Sequence, residues 1–244
     1  MKNYAVLLAS GSGQRLGVSS TPKHLTKIGG APCVVWTLNT LFSSNIFDFV
    51  VVVSAEDNQA WTEDEISTYL SIDSKKWTVT TGGSQRMDSF FAGLDRLREA
   101  HRLEQSDLIA LVDANRPFIP TQQIFSLQDV AREHGCACPG RPIVNGVARV
   151  SQDRILDVPN KAEFIEFVTP EFISFSAFRE ESQKVLSKYK SLVEIALACE
   201  MRPRFIESSI LNSKLTYPED IGFLEGLIAQ YKLATPDSIE MQSN

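Results

Sequence analysis

The residues best suited to do chemistry are a turn of small residues near the amino terminus and the cations around it. Positions 10–13 are Ser-Gly-Ser-Gly, and Arg15 and Lys23 follow. Glycine lets a ligand approach the main chain closely, and exposed amides beside a helix start bind phosphate. The pattern therefore predicts a triphosphate site. Its members would be Ala9, Ser10, Gly11, Ser12, Gly13, Arg15 and Lys23.

Three other structures could contain the same stretch. One is an ordinary strand–turn–helix connection with surface cations. A second is a dinucleotide fold, because Gly11-x-Gly13 resembles the start of G-x-G-x-x-G. Against it, Leu16 replaces the third glycine and no acidic residue ends a second strand about 20 residues later. The third is a Walker A loop, but residues 14–16 do not supply its Gly-Lys-Ser/Thr. The plain connection stays open as an alternative.

A carboxylate and a third cation lie far along the chain. Asp113 follows the strand-like run 107–112, and in an α/β sheet the carboxyl end of a strand faces the ligand. A carboxylate there could hold Mg²⁺ against phosphate oxygens, so we expect Mg²⁺ as the cofactor. An Asx-type turn before Pro117 would explain Asp113 equally well. Lys214 is either a phosphate-binding cation or a solvated lysine before a helix.

These groups must be positioned by alternating strands and helices. Apolar runs typical of buried strands occupy residues 4–9, 49–54, 77–81 and 107–112. Helical spacing of apolar residues occurs at 32–42, at 63–70 and from about 86 to 101. That order predicts a parallel sheet wound right-handedly, with ligands at the carboxyl ends of its strands. The predicted fold class is α/β: one Rossmann-like domain over residues 1–232, with a mostly parallel twisted sheet flanked by helices.

The carboxyl-terminal half has a less regular pattern. We predict helices at 121–133, 175–189, 192–200 and 221–232, and a short strand at 204–207. Thr121 is the predicted N-cap of the first of these helices. Residues 135–150 show little helical pattern. Residues 233–244 are polar and without periodicity, so we expect a disordered tail.

Composition sets further limits. With 244 residues, 43% hydrophobic and 22% charged, the chain suits one globular domain. The net charge of −6 argues against nucleic acid as a partner. No apolar run approaches the roughly 20 residues that cross a membrane, and the start of the chain has no signal-peptide pattern. We therefore expect a cytoplasmic protein with reduced thiols at Cys33, Cys136, Cys138 and Cys199.

Two motifs near the amino terminus carry a family resemblance. Residues 9–17, ASGSGQRLG, precede Pro22-Lys23-His24. Together they resemble the nucleotidyltransferase signature A-A/G-G-x-G-x-R-M/L-G followed by P-K-Q, with Ser10 and His24 as departures. The branch they resemble most is the cytidylyltransferases that act on 2-C-methyl-D-erythritol 4-phosphate and ribitol 5-phosphate. The resemblance implies a nucleotidyltransferase domain with a protruding β-arm.

Two later motifs extend the resemblance on the nucleotide side. Residues 82–89, GGSQRMDS, match the pattern G-G-x-x-R-x-D-S, which in the family shapes the cytosine and ribose pocket. Residues 113–117, DANRP, resemble D-A-A-R-P, although Val112 stands where the family has His. The nucleotide contacts implied by the first match are Gly82, Gly83, Arg86 and Ser89.

The acceptor side departs more from the family. The resemblance implies that residues 138–168 form the arm, which crosses to a second subunit and completes its acceptor site, so a homodimer is expected. Ile143 stands where the family has Thr, and Lys161 replaces an Arg, which loses the bidentate fork. Glu171 replaces Gln after Thr169-Pro170, and Leu192 lies where an acidic pair is usual. The implied acceptor contacts are Arg116, Arg141, Lys161 and Thr169.

The last motif, at residues 212–220, resembles N-I-K-V-T-x-P-x-D and contains Lys214. The resemblance implies transfer of CMP from CTP to a sugar or polyol phosphate, with release of pyrophosphate, in isoprenoid or cell-surface polyol or sugar biosynthesis. Arg15, Lys23 and Lys214 would be the catalytic cations. A different nucleoside triphosphate, a different acceptor, or a nucleotide-binding protein with altered catalysis remain as alternatives. A dinucleotide-dependent oxidoreductase is disfavoured by Leu16.

Overall fold

A computed structural model describes residues 1–11, 21–178, 186, 188–231 and 233. The predicted site residues Ser12, Gly13 and Arg15 lie outside the described residues, and so do positions 234–244 of the predicted tail.

The described strands and helices follow in chain order. The strands are β1 (Asn3–Leu8), β2 (Lys27–Ile28), β3 (Ala31–Pro32), β4 (Phe49–Ser54), β5 (Trp77–Thr81), β6 (Leu108–Asp113), β7 (Cys136–Pro142), β8 (Arg149–Ser151), β9 (Arg154–Asp157), β10 (Ile165–Phe167), β11 (Glu171–Ser174) and β12 (Arg204–Glu207). The helices are α1 (Cys33–Ser43), α2 (Gln59–Tyr69), α3 (Arg86–Ala100), α4 (Thr121–His134), α5 (Leu192–Ala198) and α6 (Glu219–Tyr231).

One half of the main sheet is parallel, in the order β6-β1-β4-β5. Leu8 pairs with Val53 of β4 on one side and with Asp113 of β6 on the other, so three strands end side by side. β1, β4 and β6 are buried almost throughout because helices cover both faces of the sheet. The prediction of a mostly parallel sheet flanked by helices is confirmed.

The other half of the sheet is mixed. β11 runs antiparallel to both β6 and β7, and β10 pairs antiparallel with later residues of β7 on the same side as β11. β12 pairs with the other side of β7, in parallel. The sequence pattern does not predict β11, although this strand lies in the middle of the sheet. Its four residues are too few for a pattern to separate them from a loop.

The core has two layers because side chains alternate between the faces of each strand. Ala5 and Leu7 of β1 face the cluster that contains α1, α4 and α6, whereas Tyr4 and Val6 face the cluster that contains α3 and α5. Gly93 of α3 lies directly against the second face. The resulting order of helix layer, sheet and helix layer places the carboxyl ends of the parallel strands at one open edge.

The first turn of α3 is fixed by local hydrogen bonds. Asp88 accepts from the Gln85 amide at 3.1 Å and from the Ser84 hydroxyl at 2.8 Å, forming a capping box.

The predicted N-cap of α4 is wrong by one position, because Pro120 precedes the helix and Thr121 is its first residue. Proline fixes φ near the helical value, which suits the boundary of a helix.

The predicted helix at 175–189 is wrong at both ends. Residues 175–178 form a short 3₁₀ turn, and 188–190 are turn and bend; positions 179–185 and 187 lie outside the described residues. Phe178 packs on Phe90 and Phe91, with ring centroids 6.0 and 6.2 Å apart. This packing against α3, rather than helical periodicity, determines the local path of the chain.

β8 and β9 form a separate antiparallel hairpin that is not part of the main sheet. Its side chains are exposed, including large apolar ones: Val150 is 61% exposed and Ile155 is 69% exposed. The hairpin lies within the predicted arm, residues 138–168. Among the described residues, no helix has the length and apolar character needed to cross a membrane.

Candidate active site

A cavity of about 640 Å³ opens at the carboxyl ends of β1 and β6. It collects residues from both ends of the chain, and most of the predicted nucleotide and catalytic residues that are described line it. These are Ala9, Ser10, Gly11, Lys23, Gly83, Arg86, Ser89, Asp113 and Lys214.

Ser89 joins the two glycine-containing turns of this cavity. Its Oγ lies 3.0 Å from Oγ of Ser10 and accepts the Gly83 amide proton at 3.2 Å. Gly82 lies between them, and a Cβ there would fall 2.7 Å from Ser89 Oγ and 3.0 Å from Ser10 Cβ. The close approach of the two turns therefore requires glycine at position 82, as expected where a ligand must reach the main chain.

Lys23 begins a 3₁₀ turn whose next residue, His24, is buried. His24 Nε2 lies 2.9 Å from Oγ1 of Thr62, and that hydroxyl donates to the Asn58 carbonyl at 2.7 Å. The Thr62 oxygen must then accept, so Nε2 of His24 carries the proton. Burial lowers the pKa of His24 to about 4, so the ring is neutral at pH 7. His24 anchors the turn that presents Lys23, a role the sequence did not indicate.

Asp113 is the carboxylate around which three cations meet. Lys214 Nζ donates to its Oδ2 at 2.7 Å, Arg86 Nη2 to its Oδ1 at 3.4 Å, and Arg116 Nε lies 3.8 Å from Oδ2. Burial alone would raise the pKa of Asp113, but Lys214, Arg86 and Arg116 outweigh it and hold the pKa well below its usual range. The carboxylate is therefore charged at every physiological pH.

Asn115 positions the loop that carries Lys214. Its Nδ2 donates to the Leu215 carbonyl at 2.7 Å, and its own carbonyl accepts the Leu215 amide proton at 2.9 Å. These two hydrogen bonds attach the segment before α6 to the end of β6. Asn115 also lines the first cavity. The sequence analysis did not select it, and its position two residues after Asp113 at a strand end was the available signal.

A second cavity of about 270 Å³ adjoins the first and shares Arg86, Asp113 and Lys214 with it. Arg116 and Thr169, two of the predicted acceptor residues, line it. Thr169 Oγ1 accepts the Asp113 amide proton at 3.3 Å, which joins the start of β11 to the end of β6. The three shared side chains thus form a charged wall between two spaces.

Glu171, at the start of β11, is a buried carboxylate on the second cavity, 2% exposed. Its Oε2 accepts the amide protons of Leu192 at 2.7 Å and Val193 at 3.2 Å, and its Oε1 lies 3.4 Å from Arg86 Nη2. Burial raises the pKa of Glu171, while Arg86 and the two amides act in the opposite direction. Sequence analysis identified Glu171 only as a replacement for Gln, because β11 was not predicted.

Two predicted acceptor residues lie away from both cavities. Arg141 donates from Nε to the Ser208 carbonyl at 3.1 Å and from Nη2 to the Ser209 carbonyl. Lys161 Nζ donates to the Val144 carbonyl at 2.7 Å. Within one chain, Lys161 is therefore not brought to Arg116 and Thr169. Arg141 lines neither cavity but acts on Arg116: burial lowers the pKa of Arg116, and the charges of Arg86 and Arg141 lower it further.

The residues present fit a metal ion that arrives with phosphate better than one held by protein alone. In the described part of the chain, no three His, Cys, Asp or Glu side chains are grouped as a metal cage. Mg²⁺ is commonly held by one or two carboxylates together with substrate phosphates. Asp113, beside a cavity lined by Lys23 and Lys214, provides one such carboxylate.

This chain and the curated relatives that it matches align over nearly their whole length. The family model described as 2-C-methyl-D-erythritol 4-phosphate cytidylyltransferase matches residues 4–230. A ribitol-5-phosphate cytidylyltransferase from Lactiplantibacillus plantarum is 26% identical over 230 residues, covering 92% of this chain and 97% of the relative. A 2-C-methyl-D-erythritol 4-phosphate cytidylyltransferase from Halalkalibacterium halodurans is 27% identical over 233 residues, with coverage of 94% and 98%.

Solved structures resemble this fold over nearly their whole length. The 2-C-methyl-D-erythritol 4-phosphate cytidylyltransferase of Francisella tularensis superposes with a TM-score of 0.75 at 19% identity, covering 96% of this chain and 100% of that one. The corresponding protein of Thermus thermophilus gives a TM-score of 0.69 at 20% identity, with coverage of 94% and 100%. Because these sequence identities are low, the structural similarity supports only the fold.

Proposed function

The chain belongs to the 2-C-methyl-D-erythritol 4-phosphate cytidylyltransferase family, and we propose that its two adjoining cavities each bind one of the two substrates. Members of this family transfer CMP from CTP to a phosphorylated sugar or polyol. The first cavity would take CTP and the second the acceptor phosphate. The observation that carries this proposal is the shared wall of Arg86, Asp113 and Lys214. A phosphoryl group passing from one substrate to the other must cross there.

The reaction needs positive charge more than it needs a base. An acceptor phosphate oxygen attacks the α-phosphorus of CTP in line; the new P–O bond forms as the bond to the pyrophosphate oxygen breaks. The attacking group is already an anion, so the obstacle is bringing two polyanions together and stabilising the charge on the transferring group. Lys23 would bind the triphosphate, together with Arg15, whose position lies outside the described residues. Lys214 would act on the attacking side.

The nucleotide would be held mainly by main chain. Ala9, Ser10 and Gly11 leave β1 at the cavity, and Gly83 and Ser89 face them across it. Exposed amides at such turns bind phosphate and the polar edge of a base. Gly82 permits the close approach, and by the resemblance Ser12 and Gly13 would continue the same turn.

Mg²⁺ is the metal we assign to the reaction. Asp113 and the phosphate oxygens of the nucleotide would hold it, in keeping with one protein carboxylate at this edge of the sheet. When bound, it would stabilise the negative charge of the phosphate groups. Asp113 by itself keeps Lys214 and Arg86 directed toward the boundary between the cavities.

The acceptor would be bound by residues of two subunits. Arg116 and Thr169 line the second cavity, and Arg141 of β7 lies near Arg116 in the same chain, whereas Lys161 lies away from the cavity in its own chain. We therefore place Lys161 at the partner's site, reached through the segment that contains the hairpin β8–β9. The exposed apolar side chains of that hairpin favour burial against a second copy. This makes the functional unit a homodimer.

The cellular setting we propose is the cytoplasm. Cys33, Cys136 and Cys138 are buried thiols, and burial raises the pKa of Cys138 to about 12. Inert buried thiols are common in reducing compartments.

A pyrophosphate-release assay tests the function. CTP, UTP, ATP and GTP are each combined with 2-C-methyl-D-erythritol 4-phosphate, ribitol 5-phosphate, and further sugar, polyol and amino-alcohol phosphates, with and without a chelator of Mg²⁺. We expect release with CTP and one polyol or sugar phosphate, abolished by chelation. CTP binding without release in any combination would instead indicate a nucleotide-binding regulator, and preference for another triphosphate would reject the choice of CTP.

A further inference from the structure

Glu171 has contacts that tie three separate segments together. Its Oε2 accepts the first two amide protons of α5, from Leu192 and Val193, and its Oε1 faces Arg86 Nη2 at 3.4 Å. A carboxylate that is 2% exposed needs such donors, because an unpaired buried charge is costly. Of these partners, Arg86 lies at the wall between the cavities, and the two amides belong to the helix start whose neighbours Ser191 and Glu194 line the second cavity.

The guanidinium of Arg86 is held at that wall from three directions. Nη2 lies 3.4 Å from Asp113 Oδ1 and 3.4 Å from Glu171 Oε1, and Nη1 donates to the Lys190 carbonyl at 2.9 Å. These partners belong to the end of β6, the start of β11 and the segment before α5. Arg86 itself begins α3, beside Gly83 of the nucleotide cavity. It is therefore one of the three side chains that line both cavities.

The negative charge of Glu171 helps to hold Arg86, separately from the hydrogen bonds that Glu171 accepts from α5. Three cations, Arg86, Arg116 and Lys214, meet Asp113, and Glu171 is the second carboxylate within 4 Å of Arg86. A glutamine in its place could still accept both α5 amides through its single oxygen. Its amide nitrogen would then face Arg86 as donor against donor. In this chain, which has Glu171 where the family has Gln and Leu192 where the family has an acidic pair, the carboxylate thus serves Arg86 rather than the helix.

We propose that Glu171 is a positioning residue for CMP transfer: its carboxylate fixes the guanidinium of Arg86 at the boundary of the two cavities. The proposal rests on the proposed function. It adds how the nucleotide and the acceptor are kept aligned at the boundary of the two cavities. Without the carboxylate, Arg86 retains Asp113 and the Lys190 carbonyl, but its Nη2 is no longer fixed between two carboxylates and can shift at the boundary. Substrate positioning of this kind is lost through small displacements.

The test is a double-mutant cycle of Glu171→Gln and Arg86→Met, measured by pyrophosphate release and by equilibrium binding of CTP. We expect Glu171→Gln to lower kcat/KM about ten-fold in the wild-type background. In the Arg86→Met background, the same change should cause no further loss, because the group through which Glu171 acts is gone.

Asp107→Asn is the matched control. Asp107 is also a 2% exposed carboxylate and accepts the amide protons of Lys2 and Glu104 at 2.7 and 2.8 Å, but it lies at the opposite end of β6. The Asp107→Asn substitution should lower the melting temperature without changing kcat/KM. If Glu171→Gln does not fold, Glu171→Asp takes its place in the cycle, since it keeps the charge but withdraws the carboxylate by one methylene.

Three results would overturn the proposal: wild-type kcat/KM in Glu171→Gln, equal losses in the two backgrounds, or a comparable loss in Asp107→Asn. Wild-type turnover is measured first. If the wild-type protein releases no pyrophosphate with any acceptor, the proposed reaction is wrong, and CTP binding across the same cycle then decides the role of Glu171 alone.

Discussion

Lys214 Nζ lies 2.7 Å from Oδ2 of Asp113, although 101 residues separate the two in the chain. Asp113 ends a central strand and Lys214 precedes the last helix, so the contact joins the middle of the sheet to the carboxyl-terminal part of the chain. It also places a cation on the wall shared by both cavities. The two residues therefore link a central strand to the wall at which we propose that CMP is transferred.

Replacing Lys214 with Met should remove turnover with little effect on stability. Lys214 is 38% exposed, and Arg86 and Arg116 still balance Asp113, so we expect a loss of about 1 kcal/mol in the free energy of unfolding. The rate should fall about 10²–10³-fold, as when one group that stabilises transition-state charge is removed. Steady-state kinetics and thermal unfolding measure both effects. Lys76→Met, before β5 at the opposite edge of the sheet, is the control; equal rates in the two variants would contradict the assignment.

Lys23→Ala should abolish turnover while the fold stays intact. Lys23 lines the nucleotide cavity and begins a short turn that His24 holds through Thr62, so removing its side chain leaves the anchor in place. We expect the rate to fall about 10²–10³-fold and the circular dichroism spectrum to remain unchanged. An ordinary rate in a CTP assay would show that this lysine does not act on the triphosphate.

His24 should make the protein less stable as the pH falls. Its pKa is 6.5 in the unfolded chain and about 4 when folded, so the unfolded state binds more protons between these values. Stability is then full above pH 6.5 and decreases as the pH falls toward 4, by up to about 3 kcal/mol. Urea unfolding of the wild type and of His24→Gln at several pH values tests this. The variant should show a flatter pH dependence; identical curves would exclude His24 as the source.

Gly93→Ala should destabilise the protein, although alanine favours helices. A Cβ at position 93 would lie 2.5 Å from Val6 Cγ1 and 2.9 Å from Val53 Cγ2, and both valines are fully buried in the sheet. We expect a loss of about 1–3 kcal/mol. Gly226, also within a helix, has open space around its Cβ position, so Gly226→Ala should gain about 0.5–1 kcal/mol. Chemical denaturation of both variants measures the contrast, and a stabilised Gly93→Ala would refute the close packing.

Ile155→Lys should weaken the proposed dimer without unfolding the subunit. Ile155 is 69% exposed on the hairpin β8–β9, so a lysine there costs the isolated chain little but disfavours an apolar contact between copies. Sedimentation velocity should show a shift from dimer to monomer. Phe125→Lys, at a 41% exposed site on α4, is the control. A wild-type protein that is monomeric at every concentration would reject the dimer.

The sequence predicted those parts of the fold that have a local signature. β1, β4 and β6 are continuous apolar runs, and their order with the helices was enough to place Asp113 and Lys23 at one edge of the sheet. β11 was missed because four residues carry no period, and with it the buried position of Glu171. Arg86 and Glu171 are 85 residues apart, so no local pattern could pair them. Contacts of this kind depend on how the sheet is assembled.

The two halves of the sheet differ in how freely they can change. The parallel strands β1, β4, β5 and β6 carry the turns around Ser10 and Gly83, whose close approach leaves no room for a Cβ at Gly82. The mixed half, β7, β10 and β11, leads into the hairpin and the region of Ile143 and Lys161. On the proposed division of the substrates, acceptor preference can change on the mixed half while the nucleotide cavity stays constant, and exchanging residues 143–164 between relatives would transfer that preference.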